Sequence, residues 1–187
     1  MARIILFAAD LSETIARTEL RPEIRWGKPE DHCGLIAAGA SPEWAEWITG
    51  ADSSARFAVA EEDGRIIGQN IYVTGETVQP YRWLVINLRN GRDVVAMGGF
   101  VAPERRGRHL LPDIKGFAAR DFAQRGYCRM ISWVDSRNAP SIRSHTRVGA
   151  VPLATLTRIR IGRLALLWKG WSLPQVRWGS RPFVITA

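Results

Sequence analysis

The sequence predicts a mixed α/β fold in which antiparallel hairpins flank one parallel strand pair. Three observations carry that prediction. Two apolar, β-branched runs, 56–60 and 65–74, flank Glu61-Glu62-Asp63-Gly64, and Asp-Gly between such runs signals a hairpin. The string Val94-Val95-Ala96-Met97-Gly98-Gly99-Phe100-Val101 has almost no polar member, as in a strand buried on both faces. A helical stripe and a second buried run, 129–134, follow it. Strand, helix, strand makes the two strands parallel with a right-handed crossover.

The remaining elements follow in order. Residues 1–20 fit either a short strand or a poorly periodic helix, and Ile24 to Trp26 a short strand. Pro29-Glu30-Asp31 opens a helix, with proline in the first turn and acids at the positive end of the dipole; Gly39 stops it. Ser41-Pro42-Glu43 opens a second helix with Trp44, Trp47 and Ile48 on one side. Trp83 to Leu88 read as a strand, and Asn90-Gly91 as a turn. From 110 to 124, Leu110, Ile114, Phe117, Ala118 and Phe122 form an apolar stripe, and Gly126 sits at the C-terminal cap position. A short helix has Asn138 at its cap, Pro140 in its first turn and Gly149 at its end. Residues 155–161 and 164–169 form a hairpin, with Gly162 at the first central position of a type II′ turn. No repeat or linker interrupts the chain, which reads as one domain over 1–187.

Bulk properties narrow the function. Of 187 residues, 46% are apolar, enough for a packed core. The net charge is +8, but the cations are mostly arginines spread along the chain; only Lys28, Lys115 and Lys169 are lysines. That pattern is the arginine-for-lysine usage of a GC-rich genome rather than a nucleic-acid-binding arm, so nucleic acid is not the expected partner. A basic surface also suits an anionic cofactor. No apolar run approaches the roughly 20 residues of a membrane span, and the run Ile4 to Ala9 is too short for a signal peptide. Cys33 and Cys128 have neither metal nor disulfide spacing, with Cys128 expected inside the core. The expectation is a cytoplasmic protein with no metal.

Two stretches resemble a known family. Phe100-Val101-Ala102-Pro103-Glu104-Arg105-Arg106-Gly107-Arg108-His109-Leu110-Leu111 resembles the coenzyme-A signature of the GNAT superfamily, V-x-P followed by Q/R-x-x-G-x-G/A and a helix. Asn138 to Ala150 resembles the later N-x-x-[AS]-x-x-x-Y-x-x-x-G-F segment. Both occur in order, at the right separation and on the expected elements, and the resemblance covers roughly 22–170.

The resemblance implies a mostly antiparallel central sheet, helices on both faces, and a parallel pair that splays apart to admit the pantetheine arm along Met97–Val101. It implies acyl transfer from acetyl-CoA, or another acyl-CoA, to a primary amine by direct attack. Cofactor contacts are expected from Phe100, Val101, Arg105, Arg106, Gly107, Arg108, His109, Leu110 and Leu111, and from Asn138, Ser141 and Arg143. The physics agrees: a turn opening a helix presents unpaired N–H groups to an anion, and arginines add charge-assisted bonds. Gly98-Gly99 fits either a bulge or close backbone approach beside the arm, or plain tight packing.

The chain departs from the pattern at three places. His109 stands where a glycine belongs, and either points away from the phosphate turn or helps to hold phosphate; Leu111 takes the last glycine position. His145 stands at the tyrosine position that protonates the departing thiolate, a task histidine chemistry suits. Ala150 replaces phenylalanine. The catalytic residues implied are His145 and Asn138. Glu61, Glu62, Asp93, Glu104 and Asp135 are candidate bases. The acceptor pocket is expected among the first two helices and the 76–92 loop, with Trp44, Trp47, Tyr81 and Trp83 in its wall. The tail from Trp171 either covers an edge strand or reaches a partner, so a homodimer is open. A long acyl chain carried by coenzyme A or an acidic acyl carrier protein is the alternative donor, and a non-catalytic binding module of the same fold the alternative function.

Overall fold

The computed structural model describes residues 1–21, 23–41, 55–88 and 91–187. The expected second helix, with Trp44 and Trp47, lies outside the described residues, as does Asn90.

The elements are β1 (Ala2–Asp10), α1 (Leu11–Ala16), β2 (Ile24–Trp26), α2 (Asp31–Ala37), β3 (Ala55–Glu62), β4 (Arg65–Val73), β5 (Thr77–Tyr81), β6 (Leu84–Asn87), β7 (Asp93–Val101), α3 (Leu110–Gln124), β8 (Arg129–Asp135), α4 (Ala139–Arg147), β9 (Val151–Ile161), β10 (Leu164–Lys169), β11 (Gln175–Trp178) and β12 (Phe183–Thr186). Among the described residues the main sheet runs β11-β10-β9-β1-β8-β7-β4-β3-β2, and a smaller sheet runs β12-β6-β5. Within the main sheet β7 and β8 pair in parallel and every other pair is antiparallel.

Residues 1–20 resolve the open alternative as a strand followed by a helix. Ile4, Leu6 and Ala8 join the core on one face of the sheet, and Phe7 and Ala9 the core on the other. Burial on both faces removes the alternation that would mark a strand in sequence. Asp10 then caps α1, its carboxylate accepting from the Ser12 and Glu13 N–H groups. The β3–β4 hairpin turns through Asp63 (φ 51°) and Gly64 (φ 74°), a type I′ pattern.

One core lies under α1, α3 and α4 and includes Phe7, Tyr72, Ile114 and Phe122. The other, around Leu6, Ile71, Ile86 and Leu156, takes Leu35 from α2 and Phe183 and Ile185 from β12. Helices therefore flank both faces, as expected.

Two expectations are corrected. The 76–92 segment, expected as a loop beside the Trp83–Leu88 strand, carries that strand as β6 in a hairpin with β5, and the tail covers an edge strand, Phe183 pairing with Leu84 and Ile185 with Ile86. Alternation explains this, since Phe183 and Ile185 are buried while Val184 and Thr186 are exposed. Cys128 is exposed rather than in the core, because it precedes β8 in the turn after α3.

Candidate active site

The parallel pair is the centre of the site. β7 and β8 pair only at Asp93↔Arg129, Val94↔Met130 and Val95↔Ile131. Beyond Val95 the strands part, and among the described residues β7 from Ala96 to Val101 has no strand partner on that side. On its other side β7 follows β4, with a register shift between Met97↔Ile71 and Phe100↔Gln69. Gly98 and Gly99 therefore stand opposite Asn70 alone, a β-bulge. Gly98 has φ 60°, a left-handed conformation that glycine adopts without penalty. Gly99 has no room for a side chain: a Cβ there would lie 2.9 Å from Asn70 Oδ1 and 3.1 Å from Leu111.

A turn of 3-10 helix, Pro103–Arg105, and the exposed stretch Arg106-Gly107-Arg108-His109 lead from β7 into α3. Gly107 has φ 80° and His109 φ 63°. The glycine position of the signature is thus a position that needs left-handed backbone, and histidine holds it here. The His109 side chain makes no cap bond and is exposed. The Leu110 and Leu111 amides open α3, as an anion site requires, whereas Pro112 has no N–H and the Asp113 N–H bonds His109 O at 3.3 Å.

The arginines divide. Arg105 is tied to Glu62 and Arg106 Nε donates to Val101 O at 3.1 Å. The Arg108 carbonyl accepts from Arg21 at 3.4 Å, and the Arg108 and Arg143 side chains are exposed.

Asn138 caps α4, its Oδ1 accepting from Ser141 N at 3.1 Å. The Ser141 carbonyl in turn lies 2.8 Å from His145 Nδ1. A carbonyl only accepts, so Nδ1 carries the hydrogen and Nε2 the lone pair. Nε2 meets Lys115 Nζ at 2.9 Å, and the ring stacks on Phe7 at 5.3 Å. Lys115 and His145 are both buried. Burial and then the Lys115 charge push the His145 pKa down to about 3, and burial pushes Lys115 down to about 7. Lys115 lies one helical turn beyond Leu111 on α3, on the stripe that packs against Gly99.

Sequence reasoning missed Lys115, because a lysine inside a helix reads as surface. It also missed Gln69. Gln69 is fully buried; its Nε2 reaches Gly98 O at 3.5 Å and its Oε1 has no hydrogen-bond partner among the described residues. It faces the bulge from the side opposite α3. On that side Tyr81 stacks on Trp83 at 5.2 Å, with Phe100 and Trp133 packed against the same core. The Tyr81 pKa is raised by burial and then by Asp135, so its hydroxyl stays protonated.

The candidate bases are mostly engaged. Glu61 binds Arg25 at 2.6 Å, Glu62 binds Arg105, and Asp135 is held below its usual pKa by Arg137. Asp93 is gripped by both Arg129 nitrogens at 2.8 Å. It sits five residues from the bulge, roughly 16 Å along the strand, and anchors the closed end of the pair. Glu104 is exposed.

No family model matches the sequence, and no curated protein matches it. Solved structures do. A functionally unknown conserved protein from Staphylococcus epidermidis superposes with a TM-score of 0.62 at 12% identity, over 82% of this chain and 59% of that one. A GCN5-related N-acetyltransferase from Kribbella flavida gives 0.57 at 14% identity, over 92% of this chain and 59% of that one. An aminoglycoside N-acetyltransferase in complex with CoA gives 0.53 at 21% identity, over 67% of this chain and 89% of that one. The chain thus spans 59% of the length of the first two. The chain has the GNAT fold.

Proposed function

We propose that the chain is a GNAT-superfamily acyltransferase domain over 1–187 that moves an acyl group from acetyl-CoA to a primary amine of a small molecule. The observation that carries this reading is the parting of β7 from β8 beside a glycine bulge, next to a helix that opens on the exposed stretch Arg106-Gly107-Arg108-His109. That combination fits a thioester cofactor: an unpaired strand edge for the amide-bearing arm, and an anion site for the pyrophosphate.

In this reading Phe100 and Val101 offer backbone to the arm. Arg106, Gly107, Arg108, His109, Leu110 and Leu111 surround the phosphates, with Arg105, Ser141 and Arg143 nearby. The bulge amides stabilise charge developing on the thioester oxygen. Gln69, Tyr81, Trp83 and Trp133 wall the acceptor side, where the orphaned Gln69 Oε1 accepts a hydrogen bond from the incoming amine. The amine nitrogen bonds to the carbonyl carbon as the carbon–sulfur bond breaks, and proximity supplies much of the rate.

The acid role expected of His145 passes to a pair. Both ring nitrogens are engaged, so His145 holds Lys115; the Lys115 ammonium gives its proton to the departing thiolate, and the proton shed by the attacking nitrogen passes to solvent, from which Lys115 is recharged. A group titrating near pH 7 suits that task. Asn138 and Ser141 fix α4, and so His145.

The test combines binding and turnover. Acetyl-CoA, free CoA and a long-chain acyl-CoA are each added to a thermal melt, and thiol release is followed with a panel of primary amines. Saturating ligand at about 100 times its Kd adds about 2.7 kcal/mol, and amine-dependent thiol release is expected with acetyl-CoA. Stabilisation without release under any amine would identify a non-catalytic module. Stabilisation by the long chain alone would identify a long-chain acyl enzyme.

A further inference from the structure

Charge is unevenly divided along this chain. All 18 acidic residues lie at or before Asp135, while nine of the 26 lysines and arginines follow it. From residue 136 onward the chain is purely cationic, and up to Asp135 it is close to neutral. This segment holds α4, β9, β10 and β11. The even spread of arginine hides the asymmetry, because the acids are what run out.

The same segment turns its apolar side outward. In the β9–β10–β11 register Ile161, Leu164 and Trp178 form one row and Ile159, Leu166 and Val176 the next, with Trp168 opposite Thr157. Their neighbours Leu156, Ala165 and Leu167 fill the core on the other side. Arg158, Arg160 and Arg177 also lie on that inner side by alternation. An antiparallel sheet normally shows the reverse, polar residues outward. Ile161 is 68% exposed, Val176 60% and Trp178 71%. On this side, among the described residues, α1, α3 and α4 pack over the middle of the sheet and leave the outer three strands bare. A groove of about 460 Å³ between Trp168, Trp171 and Ile159 opens on the bare face. The β10–β11 turn beyond it raises Trp171 and Leu173 fully into solvent.

We propose that the bare face of β9–β11 is a docking surface for an anionic lipid membrane, with Trp171 and Leu173 entering the interface. Charge selects the partner's sign: the segment has no acid to offer a second copy of itself, while Arg163 in the β9–β10 turn and Arg147 at the end of α4 are exposed cations that an anionic surface attracts. Side-chain chemistry selects the class. Among the described residues the polar side chains of the face and its groove are hydroxyls, Thr155, Thr157 and Ser172, so nucleotide bases find few hydrogen-bonding groups there. Aliphatic rows with tryptophan at both strand ends and cations beside them match a bilayer interface.

The test is sedimentation of the full chain with vesicles of phosphatidylcholine alone and of phosphatidylcholine containing phosphatidylglycerol. The chain is expected to pellet with the anionic vesicles and remain in solution with the neutral ones. A double variant, Trp171→Ser with Leu173→Ser, alters side chains that touch little else and is expected to weaken binding about tenfold or more. Arg147→Gln with Arg163→Gln is expected to weaken it and to flatten its salt dependence. Three results would overturn the proposal: no pelleting with anionic vesicles, pelleting unaffected by Trp171→Ser with Leu173→Ser, or tighter binding of the wild type to a single-stranded RNA or an acidic protein that the same double variant abolishes.

Discussion

His109 occupies left-handed backbone with a side chain that makes no compensating cap bond. His109→Gly is therefore expected to raise stability by on the order of 0.5–1 kcal/mol in denaturant melts, with CoA affinity retained. Lys115 gives a second prediction, from linkage. Its folded pKa, about 7, lies below the 10.5 of an unperturbed lysine, so between these values the unfolded chain binds more protons. Stability from this group is lowest below pH 7 and is recovered as pH rises toward 10.5. His145, depressed to about 3 from 6.5, acts in the same direction between those two values. Lys115→Met is expected to flatten the rise of stability with pH above 7; equal slopes for variant and wild type would contradict the pair. The His145 position was legible from the N-x-x-[AS]-x-x-x-Y spacing. Its partner was not, because a contact between residues 115 and 145 depends on how two helices cross, which spacing within either one does not encode.

At the scale of elements, the bulge in β7 and the cap of α4 carry the site. Gly99→Ala puts a methyl against Asn70 and Leu111, at an expected cost of about 1–3 kcal/mol and with loss of the thermal response to CoA. Asn138→Ala removes the bond to Ser141 N and is expected to cost about 1 kcal/mol, with turnover falling further than stability because His145 hangs from the same turn. Helix α3 was legible to its ends: Leu110–Gln124 matches the apolar stripe and the Gly126 stop. The first strand was not. Its residues Ile4 to Ala9 alternate between two cores and are apolar on both faces, so periodicity does not separate strand from helix there. Its place between β8 and β9 is a long-range pairing that no local pattern specifies.

At the scale of the molecule, the described residues form a nine-stranded sheet opened between β7 and β8, and the opening meets the N-terminus of the helix that crosses over it. The parallel pair followed from the strand–helix–strand order. Its divergence after Val95 did not follow from composition or periodicity and entered only through the family resemblance. Of the short sheet, β6 was legible as the Trp83–Leu88 run, whereas β5 and the pairing with β12 were not, because these strands are four or five residues long and one comes from the far end of the chain. Among the described residues no helix is long and apolar enough to cross a membrane. Hydrogen exchange of the backbone amides with and without CoA tests the central claim most directly. Protection confined to Met97–Val101 and Arg106–Leu111 is the expected result, since those are the open strand edge and the anion turn. Unchanged exchange in both segments, or protection located elsewhere in the sheet, would contradict it.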